Sequence, residues 1–398
     1  MNYPNDPKNN DSAWEEAMSR DFDARVRDLH EAPLDISSVK GKAVKIKRNR
    51  RAAVAGGILG VAAIATPFAL LVNNGGDAKT DQPPVVNDPS ETIADPVATD
   101  PEYISGGEWH QADGKVVGLP NRDYSAAVLW DDQLVATYFD GEVFLTADVI
   151  DADGTVVDSF DTTGPVAVNE AGTTIAWIDT DGTVETNGPG GKLSVGTVDL
   201  AAAGEGVAFT ASAVSGGPDC HEEVDGCIVY VESSLGEDVQ AFSSHGTVDI
   251  VAPGVTKVFD ATGDGVLSVR TRTTADLTAC GGLFNTIDGT VTWETCDSQV
   301  WQISPDGAHA AAPPSQYDGL GPLWISVRDT ATSEETGRYT EEGGFIGTWA
   351  WTSDGQLIFD TYDGARWHLY SMAPDGERTE LVDPVKGDEF SPFTLIQR

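Results

Sequence analysis

Basic residues are scarce in this 398-residue chain, which holds 24 Lys and Arg against 64 Asp and Glu, a formal net charge of -40. The deficit lies after residue 72, where 13 basic residues stand against 55 acidic ones. Affinity for nucleic acids depends on Lys and Arg side chains that displace counterions from phosphates. The composition therefore argues against nucleic-acid binding by the larger part of the chain, and we expect its charge to limit aggregation.

Catalytic motifs are missing as well. The sequence has no nucleophile elbow, no Gly-rich phosphate loop and no zinc-protease helix motif. Carboxylate pairs are too numerous in so acidic a chain for any one pair to indicate an active site. We predict no catalytic residue and no enzyme. The histidines of the acidic part, none of which stands in a nucleophile motif, are His110, His221, His245, His309 and His368.

The chain has one long apolar run. Residues 52–72 carry no charged side chain, and these 21 residues match the ~20 that a helix needs to cross a ~30 Å hydrocarbon core. Basic residues precede the run, whereas polar residues and Asp77 follow it. The asymmetry predicts a single-pass cell-membrane protein with residues 1–51 in the cytoplasm and the acidic part outside. The basic flank consists of Lys40, Lys42, Lys45, Lys47, Arg48, Arg50 and Arg51.

A cleaved signal peptide is the alternative, with Ala63 and Ala65 as its cleavage pattern. Both the 51 residues before the run and the run itself are longer than a signal peptide requires, because its apolar region usually spans ~7–15 residues. We therefore favour an uncleaved anchor. No cysteine lies near the run, so a lipid anchor is not supported.

Residues 12–30 predict an amphipathic helix. Ser12 and Glu15 form a capping-box pattern, and large apolar residues recur at spacings of three and four. A segment of about fifty residues cannot bury a core of its own, so an apolar stripe implies a partner. The alternative is a stub without stable structure, because isolated helices of this length are marginal. The stripe that we predict to bind a partner is Trp14, Met18, Phe22, Val26 and Leu29.

The order of an acidic amphipathic helix, a Pro33-Leu34 turn, a basic run and one membrane span resembles the cytoplasmic regions of actinobacterial membrane proteins. Some of those proteins act as anti-sigma factors, so the resemblance implies a sigma factor as a cytoplasmic partner. It covers residues 12–72. Unlike zinc-binding anti-sigma domains, this stub contains no cysteine.

Residues 73–107 predict an extended stalk, because prolines are spread among Asp, Thr, Asn and Gly with little apolar material. From residue 108 onward, short β-rich runs alternate with Gly-containing turns, and no helix pattern appears. Four of the predicted strands are 133–138, 141–149, 173–178 and 266–271. Asp-Gly occurs twelve times after Lys79, which is typical of tight hairpins.

A subset of turns repeats at a regular interval. With markers at residues 132, 172, 217, 265, 307 and 355, the steps are 40, 45, 48, 42 and 48 residues. A β-rich repeat of ~40–50 residues has the length of one propeller blade. Residues 108–398 therefore predict an all-β propeller of six to seven four-stranded blades. A hairpin at 109–119 and a lone strand at 390–397 can share one blade and close the ring. Two stacked sandwiches are the alternative.

The turns at 304–307, 352–355 and 373–376 read Ser-Pro-Asp-Gly, Thr-Ser-Asp-Gly and Ala-Pro-Asp-Gly. They resemble turns of TolB-like and WD-repeat-like propellers over about 290 residues. The resemblance implies the architecture, whereas propellers host binding modules, enzymes and scaffolds alike.

Cysteine occurs four times, always in the predicted outer domain, and an even number in an oxidising compartment indicates two disulfides. Three pairings are possible. We favour Cys220 with Cys227 and Cys280 with Cys296, because each pair flanks a plausible hairpin turn. A zinc site that uses Cys220 and His221 is the alternative, but its spacing matches no common ligand pattern.

Two acidic turns, 151–154 and 179–182, raise the possibility of calcium, for which Asp158 is the one further acid nearby. Hairpin turns explain both segments with fewer assumptions, so we predict no cofactor. We expect the tryptophans to pack between blades and not to line a ligand site. They include Trp177, Trp301, Trp324, Trp349, Trp351 and Trp367.

Taken together, these features predict a membrane-anchored binding or sensing module with protein partners. The alternatives are an envelope enzyme, which predicts acids and a histidine that converge at the central channel, and a structural or adhesive surface protein.

Overall fold

The structure is a computed structural model that describes residues 101–398 apart from 140, 142–143, 201–206, 221–225, 235–238, 244–247, 252–253, 277 and 318. Over these residues the chain forms 29 strands and no helix, and hence no helix that is long and apolar enough to span a bilayer. The predicted membrane span at 52–72 lies outside the described residues. So does the predicted partner-binding helix with Trp14, Met18, Phe22, Val26 and Leu29.

The first three strands are joined by the last strand of the chain. They are β1 (Tyr103–Ser105), β2 (Glu108–His110) and β3 (Val116–Gly118), and with β29 (Phe393–Gln397) they form a set that we call group 7.

The other strands follow one another in antiparallel groups of four, each a simple up-and-down meander. Group 1 holds β4 (Tyr124–Trp130), β5 (Gln133–Tyr138), β6 (Leu145–Ile150) and β7 (Val156–Thr162). Group 2 holds β8 (Ala167–Val168), β9 (Ile175–Ile178), β10 (Thr183–Gly188) and β11 (Gly191–Thr197). Group 3 holds β12 (Phe209–Ser215), β13 (Ile228–Ser233), β14 (Gln240–Ser243) and β15 (Val248–Ile250).

Group 4 holds β16 (Lys257–Ala261), β17 (Val266–Thr273), β18 (Ala279–Asn285) and β19 (Thr290–Thr295). Group 5 holds β20 (Gln302–Ile303), β21 (His309–Ala312), β22 (Trp324–Asp329) and β23 (Glu335–Thr340). Group 6 holds β24 (Phe345–Trp351), β25 (Leu357–Tyr362), β26 (Arg366–Met372) and β27 (Arg378–Glu380), and β28 (Val385–Lys386) also pairs with β26.

The innermost strands, which are the first strands of groups 1 to 6 and β29 of group 7, form a closed ring. Strand β4 contacts β8, and the contacts continue through β12, β16, β20, β24 and β29 back to β4. The last contact is a short parallel pairing of β29 with β4, which joins groups 7 and 1 into one eight-stranded sheet. Hydrophobic clusters fill the spaces between consecutive groups all the way round. Radial sheets that pack on their neighbours around a ring of innermost strands are a β-propeller.

The marker turns share one position in this ring. Each of the markers at 132, 172, 217, 265, 307 and 355 lies between the first and second strands of groups 1 to 6 in turn. Eleven of the twelve Asp-Gly glycines adopt a positive φ, with Gly319 as the exception. Asp-Gly thus supplies the left-handed backbone of the marker turns at 265, 307 and 355, because glycine has no Cβ to clash there.

Group 7 brings the two ends of the domain together. Tyr103 pairs with Leu395 and Ser105 with Phe393, so a C-terminal strand completes a sheet begun by the N-terminal strands. The predicted union of the hairpin at 109–119 with the strand at 390–397 is therefore confirmed. The sheet begins before residue 108, since β1 lies within the segment that was predicted to be the stalk. The sequence did not reveal β1, because three residues are too few to show the alternation of a strand.

The predicted strand at 133–138 coincides with β5, whereas two others begin later than predicted. Strand β6 starts at Leu145 and not at residue 141, since Gly141 has a φ of 102°. Strand β9 starts at Ile175, because Thr173 and Thr174 donate their main-chain N–H groups to the Asn169 side chain and so belong to the preceding turn.

Two disulfides connect the four cysteines in the favoured pairing, Cys220 with Cys227 and Cys280 with Cys296. Gly281 pairs with Thr295 across β18 and β19, so Cys280 and Cys296 face each other at the open end of one hairpin. The zinc alternative is wrong with respect to Cys220, because its sulfur is bonded to Cys227. His221 lies outside the described residues.

Candidate functional site

A cavity of about 320 Å³ lies where the innermost strands converge. Every group contributes to its wall through residues in or next to its innermost strand. These residues are Val128, Val168, Ser212, Asp260, Gln302, Trp351 and Gln397 from groups 1 to 7 in that order.

Two β-bulges reshape the cavity wall. The pairing of β12 with β13 shifts between Ala211 and Ala213, and that of β16 with β17 shifts between Val258 and Asp260. The extra residues, Ser212 and Phe259, both line the cavity. A bulge re-aims the side chains that follow it and is over-represented beside binding sites. In groups 3 and 4 the bulged residue itself thus faces the cavity.

An aromatic wall runs from group 4 to group 6. The Phe259 and Trp301 rings stack with centroids 4.8 Å apart, and Trp349 meets Trp301 edge-on at 5.4 Å. The Arg270 guanidinium lies over Phe259 at 5.6 Å and accounts for one further contact of that ring. Two aromatic residues of this region, Phe259 and Trp301, line the cavity directly.

Trp301 and Trp351 border the cavity. Both also pack into the cluster between groups 5 and 6, as expected of tryptophans between blades, because a residue at the inner end of a blade touches the next blade and the channel together. That the tryptophans do not line a ligand site stays a prediction. Trp177, Trp349 and Trp367 are buried, and Trp324 lies under the Arg338 guanidinium.

Asp260 is the central charged group of the cavity. Its Oδ1 accepts a hydrogen bond from Ala261 N and its Oδ2 from Ile303 N, both at 2.8 Å. Burial raises the pKa of this carboxyl to about 7, the Glu170 carboxylate adds to the rise, and the two main-chain donors oppose it. No basic side chain of the described residues forms an ion pair with Asp260. Its charge is thus balanced only by main-chain dipoles.

The other charged groups of the cavity are paired. Lys257 Nζ lies 2.9 Å from Glu232 Oε2, and both side chains are largely buried. Arg398 forms an ion pair with Glu102, which connects the end of β29 to the residue before β1. The cations that line the cavity therefore already have carboxylate partners.

Two glutamines form a short chain across the cavity wall. Gln397 Nε2 donates to the main-chain carbonyl of Trp349 at 3.0 Å, and Gln302 Nε2 donates to Gln397 Oε1. A carbonyl can only accept, so this chain sets the orientation of both amides. In this orientation Gln302 Oε1 is buried and has no hydrogen-bond partner among the described residues. The same holds for Trp301 Nε1.

A second cavity, of about 280 Å³, lies beside the turns that join the first and second strands of the groups, and Arg398 lines both cavities. Asp131, Asp132 and Glu170 line it. Asp131 and Asp132 have φ values of 45° and 61°, where most turns of this kind have glycine. Burial, reinforced by Asp132, raises the pKa of Asp131. This end of the ring is consequently acidic.

The histidines among the described residues, His110, His309 and His368, do not converge on the cavity. His110 stacks on Tyr103 at 4.3 Å, and His368 lies between Glu380 and Asp363, with Nδ1 2.7 Å and Nε2 3.3 Å from their carboxylate oxygens. No histidine is found among the described residues that line the cavity. His309 begins β21, and His221 and His245 lie outside the described residues.

The two acidic turns considered for calcium are hairpin turns. The turn after Ile150 joins β6 to β7, and the turn after Ile178 joins β9 to β10. Asp151 Oδ1 accepts from Thr155 N at 2.9 Å, and Asp181 Oδ1 accepts from Thr183 N at the same distance. These carboxylates thus stabilise their own turns.

Sequence reasoning missed the cavity residues although a signal existed. Those of groups 1 to 6 lie four or five residues before a marker turn, as Asp260 does before 265 and Gln302 before 307. Because the first strand of each blade leads into that turn, the spacing identifies positions close to the channel. The bulge at Phe259 has no comparable signature.

No protein-family model matches the sequence, and no curated protein sequence matches it. Among solved structures, the chain is similar to the β-propeller domain of Cps50 (Swd1) from Myceliophteria thermophila, with 10% identity over 72% of this chain and 90% of that one and a TM-score of 0.47. It is also similar to a chain of the mitotic checkpoint complex, with 12% identity over 79% of this chain and 90% of that one and a TM-score of 0.43. We assign the propeller from the strand order and the packing.

Proposed function

We propose that the protein is a membrane-anchored binding module whose outer, seven-bladed propeller takes a ligand into its central cavity. Each of the seven groups is one blade in this proposal, residues 52–72 are the anchor, and the N-terminal helix contacts a protein partner in the cytoplasm. The protein is not an enzyme in this proposal, and no residue has a catalytic role.

The convergence of Asp260, Gln302 and the aromatic wall in one cavity carries the proposal. Buried polar atoms in folded proteins almost always have hydrogen-bond partners, and exceptions call for an explanation. Here Gln302, whose buried amide oxygen has no partner among the described residues, and Asp260, whose carboxylate has no counter-ion among them, line the same cavity together with Phe259 and Trp301. A binding site supplies the partners that the fold itself does not.

A channel-filling variant tests this proposal while the identity of the ligand is still open. The full chain in detergent micelles, as wild type and as Ser212→Trp, is screened for thermal stabilisation by a panel of organic cations, organic anions, neutral sugars and short peptides. We expect at least one compound to raise the Tm of the wild type and not that of the variant. Ile287→Trp is the matched control, because Ile287 is 79% exposed on the hairpin between β18 and β19.

If every stabilising compound acts equally on the wild type and both variants, the cavity is not the binding site. Ser212→Leu repeats the test with a smaller side chain should the Trp variant not fold.

The anchor is tested by fractionation of cells that produce the full chain. We expect the protein to stay in the membrane pellet after carbonate extraction and protease to remove the propeller only from the outer side. Release by carbonate, or a mature chain that begins after residue 65, would contradict the anchor and support cleavage.

The cytoplasmic helix is tested by affinity capture with residues 1–51 as bait. We expect Trp14→Ala combined with Phe22→Ala to abolish recovery of the partner, with a sigma factor as the partner that the resemblance suggests. Glu16→Ala combined with Arg27→Ala changes the opposite face and is the matched control. Equal recovery with all three baits would exclude this helix as the binding element.

A further inference from the structure

The cavity has one uncompensated charge, and it is negative. Lys257 is paired with Glu232 and Arg398 with Glu102, whereas Asp260 has only two main-chain N–H groups. Arg270, the nearest guanidinium to the aromatic wall, is not among the residues that line the cavity; its Nε donates to Gln299 Oε1 at 3.2 Å. A ligand that enters this cavity therefore meets a carboxylate that no side chain has neutralised.

The Asp260 carboxylate has hydrogen-bonding capacity left as an acceptor. Each of its oxygens receives one hydrogen bond and has lone pairs to spare. The Trp301 ring beside it is held between Phe259 and Trp349. Ammonium and guanidinium groups have donors and no acceptor, and so match such a site.

The acidic residues around the cavity also favour a positively charged ligand. Asp131, Asp132 and Glu170 line the adjoining cavity at the first turns, and residues 73–398 carry 55 acidic against 13 basic residues. A cleft with acidic walls raises the local concentration of cations and speeds their association. Anions are disfavoured at this end of the ring for the same reason.

Resting on the proposed function, we propose that the central cavity binds an organic cation, with Asp260 as the counter-ion of its ammonium or guanidinium group. Phe259 and Trp301 contact its apolar arm. A volume of about 320 Å³ suits a small molecule or a single long side chain. A free amine and a Lys or Arg side chain of a protein share this chemistry, and the experiment separates them.

The test compares two probes of the same shape and different charge, butylguanidinium and butylurea. Calorimetric titrations use the full chain in detergent micelles at pH 8. We expect the wild type to bind butylguanidinium about tenfold or more tightly than butylurea, because charge-assisted hydrogen bonds are roughly twice as strong as neutral ones. Asp260→Asn keeps an acceptor for Ile303 N but removes the charge, and should abolish this preference.

Asp360→Asn is the matched control. Asp360 is also a buried carboxylate with a raised pKa, but it lies away from the cavity and its hydrogen bonds come from Thr348 and Ser391. We expect this variant to keep the full preference for the cation. A third probe, the acetylated and amidated tripeptide Gly-Arg-Gly, identifies the source: stronger binding of the tripeptide than of butylguanidinium indicates a protein side chain, and weaker binding indicates a free small molecule.

Equal binding of the two isosteric probes by the wild type would overturn the inference, as would a preference that survives in Asp260→Asn. The proposed function fails separately, since it depends on the panel and the Ser212→Trp variant. A sugar or an anion that stabilises the wild type and not that variant would preserve the binding module and exclude the cation.

Discussion

Three buried or partly buried aspartates lie in two different kinds of region. Asp148 and Asp360 lie within groups 1 and 6 and are fully inaccessible. Asp148 accepts from Arg122, from Tyr124 Oη at 2.7 Å and from Ser159 Oγ at 2.7 Å. Inside a blade, therefore, side-chain donors surround the carboxylate.

Asp360 shows the same pattern in group 6. It accepts from Thr348 N at 2.5 Å, from Thr348 Oγ1 at 2.9 Å and from Ser391 Oγ. Asp260, at the inner end of group 4, receives no side-chain donor at all among the described residues. The first two carboxylates are thus satisfied by the fold, whereas Asp260 keeps acceptor capacity, which is the basis of the proposed cation site.

The largest effect expected from this comparison is on stability. Asp148→Ala leaves Arg122, Tyr124 and Ser159 without their shared acceptor. Because Arg122 is exposed, the loss comes mainly from the unsatisfied Tyr124 hydroxyl and the emptied buried position, and we expect it to be about 3 kcal/mol of unfolding free energy. Chemical denaturation of the full chain in micelles, followed by tryptophan fluorescence, measures the loss. Tyr138→Phe removes only a hydroxyl that receives an exposed hydrogen bond from Arg122, and is the control. Equal losses for the two variants would mean that Asp148 is not a structural anchor.

An intermediate effect is expected on how the unfolding free energy depends on pH. Burial raises the pKa of Asp360 to about 6, against an ordinary value of ~3.9 in an unfolded chain. The folded state then holds a proton that the unfolded state has lost between these values, so stability falls as pH rises from ~4 to ~6 and is level above. The Asp360→Asn variant does not lose stability in this way, because asparagine does not titrate. We expect its unfolding free energy relative to wild type to rise by about 2–3 kcal/mol between pH 4 and pH 7.

Denaturation curves of both proteins at matched pH values check this prediction, because the other titrating groups cancel in the difference. A difference that is flat with pH, or that falls, would show that the Asp360 carboxyl is ionised in the folded protein at pH 4.

The smallest effect on stability is expected at Asp260. At pH 4 burial keeps the Asp260 carboxyl protonated in the folded state. Asp260→Asn then replaces a neutral group and retains an acceptor for one main-chain donor, so the unfolding free energy at pH 4 should change by less than ~1 kcal/mol. The same denaturation assay measures it. A loss as large as that of Asp148→Ala would place Asp260 with the structural aspartates and remove the contrast between the two regions.

Sequence reasoning recovered the part of the fold that depends on local chemistry. The marker turns, most of them rich in glycine, and the closing strand at 390–397 follow from turn chemistry and from the need to protect sheet edges. The short strands β1, β8 and β20 were not predictable, because two or three residues show no alternation and are strands only through their neighbours. The disulfide pairing followed from hairpin geometry.

The cavity was largely beyond sequence reasoning. Asp260, Gln302 and Phe259 belong to different blades or to a bulge, and only the closure of the ring brings them together. Asp260 is one of 64 acidic residues, and although its spacing from the marker at 265 places it near the channel, nothing along the chain shows how its carboxylate is partnered. What distinguishes it is the absence of a side-chain partner among the described residues, which depends on tertiary structure.

The most direct test of the central claim is a ¹³C NMR titration of the Asp260 carboxyl, in full chain labelled at aspartate Cγ and assigned with Asp260→Asn. Without a ligand we expect a pKa of about 7. Butylguanidinium should lower this pKa, because a nearby cation stabilises the carboxylate, and butylurea should leave it unchanged. A pKa of Asp260 that responds to neither probe, or equally to both, would contradict a cation-binding cavity at the centre of the propeller.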